Sequence, residues 1–101
     1  MDQQREEQMS RPDVDALAAA MVSVSTLDEA KALMVDLCTV REIDDLAQRL
    51  EVARLLNAGD PYASVQKATG ASSTTVSRVS KFLNGGSGGY RLVLDRMDGA
   101  R

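Results

Sequence analysis

A threonine with a glutamate three residues later occurs twice in quick succession, as Thr26 with Glu29 and Thr39 with Glu42, each ahead of an apolar run. The pattern is a capping box, in which hydroxyl and carboxylate satisfy reciprocally the backbone donors that a helix start leaves without partners. Two such starts one helix length apart leave room for little besides consecutive helices. After Thr26, the residues Leu27, Ala30, Leu33, Met34 and Leu37 recur at three- and four-residue spacing. After Thr39, Ile43, Leu46, Ala47, Leu50 and Ala53 do the same until Gly59, the residue type best suited to leave a helix with positive φ. Upstream, Ser10 as a cap and Pro12 in the first turn predict a helix over 12–24 carrying Val14, Leu17, Ala18 and Met21. No period-two alternation occurs anywhere, so the fold class is all-α.

The second half is punctuated more tightly. Asp60 and Pro61 start a short helix that ends near Thr69 and Gly70, and Ser72 caps another that continues to about Leu83. The run NGGSGG at 84–89 predicts a flexible break, after which Tyr90, Leu92, Val93, Leu94 and Met97 indicate a last helix. The expectation is six helices in one domain over 12–98, behind a disordered tail at 1–11.

One small domain is what 101 residues allow. With three aromatic residues and no tryptophan, its core must be aliphatic. The third helix adds Val52, Leu55 and Leu56 beside its first stripe, an apolar surface wide enough to need more than one neighbour. A second copy of the chain is the favoured source of that neighbour, since small scaffolds commonly need additional burial.

Composition also removes function classes. With no histidine and one cysteine, there is no Cys/His zinc cluster, no histidine-activated nucleophile and no intrachain disulfide, so no enzyme activity and no metal site are expected. Cys38 is read as a small apolar side chain. Asp36, Glu42, Asp44 and Asp45 lie around helix starts, where carboxylates complement the macrodipole. The glycines of NGGSGG lack the following Lys-Ser or Lys-Thr of a phosphate loop. No apolar run is long enough to cross a bilayer and the start has no signal-peptide pattern, so no membrane partner and a cytoplasmic location are expected.

Charge is unevenly placed. Residues 61–101 hold six of the twelve basic side chains but two of the fifteen acidic ones, and between Pro61 and Asn84 the charges are Lys67, Arg78 and Lys81 alone. That stretch contains the two short helices, with Gly70 at the turn and Val65, Val76 and Val79 spaced to face one another, as in a helix-turn-helix at about 61–83. Outward at the start of the second helix lie Ser72, Ser73, Thr74 and Ser77, short hydroxyl side chains that approach base edges or phosphates without steric conflict. Gln66 stands where many such units keep a small residue. A solvated surface helix, or a helical dimer acting as a protein-protein adaptor, is the alternative to DNA binding.

The stretch LCTVREIDDLAQRLEVARLLNAGDPYASVQKATGASSTTVSRVSKFLNGGSGGYRLVL, above all ATGASSTTVSRVSKFL and the following GSGGY, resembles the tryptophan repressor family, especially its YerC/YecD-type subgroup, over about residues 27–94. The resemblance implies a six-helix, intertwined homodimer that regulates transcription, as a repressor by expectation, by presenting two reading heads to a two-fold symmetric operator in double-stranded DNA. It places Ser72, Ser73, Thr74 and Ser77 at the DNA, supported by Gln66, Lys67, Arg78 and Lys81. It also maps an effector pocket onto Arg49, Thr75 and Arg78, whose guanidinium groups can bracket a ring or bind a carboxylate. No cofactor is otherwise expected, and an amino-acid-like corepressor stays open. The alternative for these residues is that Arg49 pairs with Asp45 or Glu42 and that Arg78 binds phosphate.

Overall fold

The computed structural model describes residues 2–99, which form seven helices and no strand. They are α1 (Gln3–Met9), α2 (Pro12–Ser23), α3 (Leu27–Leu37), α4 (Val40–Asn57), α5 (Tyr62–Thr69), α6 (Ser73–Gly85) and α7 (Gly89–Gly99). The chain divides into two compact units, 1–43 and 44–101.

In the first unit, the count of six is corrected by α1, which occupies the segment expected to be a disordered tail. This helix buries nothing and forms from local bonds. Asp2 accepts from the Arg5 N–H at 2.8 Å, Gln3 donates to Glu7, and the Ser10 hydroxyl donates to the Glu7 carbonyl. Ser10 therefore closes α1 rather than capping α2, whose first turn is set by Pro12 after an extended Arg11. The Thr39 capping box is complete: Glu42 N–H donates to the Thr39 hydroxyl at 3.1 Å, and Thr39 N–H donates to the Glu42 carboxylate at 2.8 Å. Those bonds from Thr39 hold the Glu42 carboxyl below its usual range. At Thr26 the hydroxyl caps as expected, but the Glu29 carboxylate accepts from Ser25 N–H, one residue earlier.

Neither α2 nor α3 buries any residue within its own chain. Val22 is 84% exposed and Leu27 71%, and Val40 at the start of α4 is 81% exposed. Cys38 is half-buried and ends α3.

The second unit holds the core. Val52 and Ala53 of α4, Val65 of α5, Ala71 of the turn, Val76, Val79 and Leu83 of α6 and Leu94 of α7 are buried together, with Leu50, Leu55, Leu56 and Tyr90 against them. Among the described residues every fully enclosed side chain is aliphatic, in keeping with the scarcity of aromatics. Gly59, at φ +95°, takes the chain out of α4, and Asp60 N–H closes the helix end on the Leu55 carbonyl at 3.1 Å. The glycine-rich break is shorter than expected: Asn84 and Gly85 extend α6 and Gly89 opens α7, leaving 86–88 as the bend.

Candidate nucleic-acid interface

The turn between α5 and α6 is built by Gly70 at φ +73°, a conformation that costs other residues energy but not glycine. Its N–H donates to the Gln66 carbonyl at 2.8 Å. The Thr69 hydroxyl donates to the Val65 carbonyl at 2.7 Å and accepts from Ala71 N–H at 3.2 Å, so one side chain bridges the bend. Gln48 of α4 donates to the Thr69 carbonyl at 3.2 Å, tying the turn to the core helix. Val65, Ala71, Val76 and Val79 then pack in its interior.

Because Val76, Val79 and Leu83 occupy one side of α6, the 3.6-residue period leaves Ser73, Thr74, Ser77, Arg78 and Lys81 on the other, and all five are exposed. No acidic residue lies in the first turn of α6. Its free backbone N–H groups and partial positive charge therefore face solvent beside hydroxyls and two cations. Ser72 is exposed as well, yet its hydroxyl accepts from Thr75 N–H at 3.1 Å and donates to the Thr75 hydroxyl at 3.1 Å. It is engaged as the N-cap. On α5, Lys67 is exposed and Gln66 half-buried.

Arg49, Thr75 and Arg78 come together around an open pocket of about 270 Å³, whose walls are completed by Val79, Phe82 and Tyr90. Among the described residues no carboxylate lines it, and no ion pair joins Arg49 to Glu42 or Asp45. The Arg78 guanidinium lies 5.6 Å from the centroid of the Phe82 ring, and the Lys81 ammonium 5.9 Å from the same ring. Both distances fall within the range of cation-π attraction. The two aromatic walls were not singled out from sequence. The available signal was Phe82 following Arg78 by four residues, a spacing that stacks side chains on one helix face.

The chain is similar to known proteins. The family model of the Trp repressor protein matches residues 12–98. The chain is 45% identical over 85 residues to "Uncharacterized protein YerC" of Bacillus subtilis (strain 168), covering 84% of this chain and 82% of that one. It superposes with a TM-score of 0.86 on the crystal structure of a TrpR like protein from Eubacterium eligens ATCC 27750, at 39% identity, covering 91% of this chain and 95% of the other. A solved structure from Staphylococcus aureus gives 0.85 at 38% identity, with 91% and 92% covered. With the matched region spanning all but the first eleven and the last three residues, the chain belongs to the Trp repressor protein family.

Proposed function

We propose that the protein is a sequence-specific DNA-binding transcriptional regulator that acts as a homodimer on a two-fold symmetric operator. The observation that carries the reading is the split of α6 into a buried valine-leucine face and an exposed hydroxyl-and-cation face, with no carboxylate between Pro61 and Asn84. Such a helix enters the major groove by its N-terminal turn, where backbone N–H groups and Arg or Lys meet phosphates and short side chains reach base edges. In this reading Ser73, Thr74 and Ser77, exposed on α6, contact bases. Gln66, Lys67, Arg78 and Lys81 support them, and Ser72 acts by holding the turn in shape. Hydroxyl side chains discriminate bases weakly, so part of the readout falls to water and to DNA shape.

The exposed apolar residues of α2 and α3 favour self-association, because a monomer would leave Val22, Leu27, Val35 and Leu37 in water. The pocket favours a small effector with a carboxylate and a ring, in the manner of an amino-acid-like corepressor held by Arg49, Thr75 and Arg78. An incoming ring competes there with Phe82 for the Arg78 guanidinium. Among the described residues, no helix is long and apolar enough to cross a membrane.

Selection of bound duplexes from a random pool, with and without amino acids including tryptophan, tests the reading. Enrichment of a symmetric sequence with half-sites about one helical turn apart supports it. Enrichment of no shared sequence refutes it and leaves the adaptor reading.

A further inference from the structure

We infer that Arg91 is a positioning residue for DNA reading, through a line of polar bonds that clamps the far end of α6; the inference rests on α6 being the reading helix. Arg91 lies in the first turn of α7. Its Nε donates to the Leu83 carbonyl at 3.1 Å, its Nη2 to Asn84 Oδ1 at 2.8 Å, and its Nη1 to Asn57 Oδ1. One planar guanidinium thus joins the last residue of α4, the last turn of α6 and the start of α7. The line continues along α6, where Asn84 Nδ2 donates to the Ser80 carbonyl at 2.9 Å and reaches its hydroxyl at 3.3 Å. It ends on α5, whose Tyr62 hydroxyl donates to Ser80 Oγ at 2.6 Å. All four helices of the second unit are therefore fastened to one another by side chains that the buried valines do not include.

Packing and clamp do different things. Aliphatic contact is non-directional and tolerates tilting, whereas three N–H bonds in a fixed fork do not. From Val79 to Ser73 is about 9 Å along the helix axis at 1.5 Å per residue, so a tilt of about 10° around the valines moves the first turn by roughly 1.6 Å. A displacement of that size breaks hydrogen bonds to base edges, which weaken steeply beyond their normal length. It hardly alters attraction to phosphates, which decays over about 8–10 Å at ordinary salt. The cationic end of Arg91 also faces the carbonyl end of α6, where positive charge is favourable. Loss of the clamp should therefore degrade sequence discrimination and spare non-specific binding.

The test compares the full-length wild type with Arg91→Ala and Arg91→Lys on the duplex that the wild type selects and on a scrambled duplex. Arg91→Ala is expected to weaken the selected duplex by about tenfold or more, to change the scrambled one by less than about twofold, and to leave the salt slope unaltered. Arg91→Lys restores the charge without the fork and is expected not to rescue. An unchanged ratio of the two affinities, recovery by lysine, or a slope shallower by ~0.9 per lost phosphate contact would overturn the role. If Arg91→Ala does not fold, Tyr62→Phe removes the α5 end of the line and is expected to lower the same ratio about threefold; no change there overturns the clamp. If the wild type itself selects no duplex, DNA reading fails. The clamp is then judged by amide exchange across 73–85, faster in whichever of Arg91→Ala and Tyr62→Phe folds if it holds α6 and unchanged if it does not.

Discussion

Two glycines flank α6, and replacing each by alanine separates torsional strain from collision. Gly70 has φ +73°, but a Cβ built on it meets nothing within 4 Å. Its substitution costs only the left-handed conformation, about 1–2 kcal/mol, offset by the ~0.4–1 kcal/mol gained from restricting the unfolded chain. The net destabilisation is about 1 kcal/mol. Gly86 has an ordinary φ of −86°, yet its Cβ would stand 2.5 Å from the Phe82 carbonyl oxygen, with Phe82 Cα at 3.1 Å and its carbonyl carbon at 3.2 Å. All three are main-chain atoms, so relief requires moving the end of α6 and disturbing the 3.0 Å bond from Gly86 N–H to that same oxygen. Overpacking of about 1–3 kcal/mol plus ~1 kcal/mol for the bond, less the same unfolded-state gain, amounts to about 1–3.6 kcal/mol, with its middle near ~2.3 kcal/mol. Gly86→Ala should therefore be the more damaging, by about 1 kcal/mol at mid-range. Tyr62 and Tyr90, the only tyrosines in a chain without tryptophan, both lie in the second unit. Their fluorescence during urea unfolding, at one fixed protein concentration, reads the difference. Gly70→Ala proving equal or worse would refute the steric reasoning.

Arg78→Ala should weaken binding to every duplex and make log K against log salt shallower by ~0.9 for each phosphate no longer neutralised; an unaltered slope in a salt titration removes Arg78 from the phosphate contacts. Thr74→Ala should shift the preferred sequence in a repeated selection more than it lowers affinity for random DNA, and equal loss on both contradicts contact with bases. Val76→Ala deletes two methyl groups from a fully enclosed site and should cost roughly 1.5–3 kcal/mol by denaturant unfolding, with a loss under ~0.5 kcal/mol inconsistent with the packing described. The Glu42 carboxyl is depressed by its bonds from Thr39, so its contribution to the start of α4 is complete above the unfolded glutamate value and disappears as pH falls through the lower folded one. Thr39→Ala removes the hydroxyl but keeps the backbone N–H at position 39, so it should raise the Glu42 midpoint part of the way in a carboxyl-carbon NMR titration; an unmoved midpoint means that the hydroxyl takes no part in the depression.

Local chemistry made much of this legible in advance. The caps at Thr26 and Thr39, the exit at Gly59 and the turn at Gly70 follow from rules that reach no further than one helical turn, and the inward valines at 65, 76 and 79 from the spacing of two short helices across that turn. What escaped was of two kinds. The helix at Gln3–Met9 has no apolar stripe to announce it and rests on polar bonds between near neighbours, the type of signal a hydrophobic pattern does not contain. The Arg91 clamp is non-local: Asn57 and Arg91 stand far apart along the chain, and an asparagine beside an arginine carries no periodicity. The pocket between α4, α6 and α7 falls between the two. Arg49, Thr75 and Arg78 were reached through resemblance to a family, whereas Phe82 and Tyr90 join them only once α4, α6 and α7 are packed.

Helices α2 and α3 gain no interior from their own chain, and this gives the amount of protein present a physical meaning. In a homodimer, whatever shelters Leu27 and Val35 arrives by collision, so the ordering of that half follows mass action, and its melting temperature climbs with concentration. If the protein reads DNA as the proposed homodimer, dilution would part its two reading heads. Occupancy of paired half-sites would then fall faster than in proportion to abundance, giving a steeper response to the number of molecules than a single head could provide.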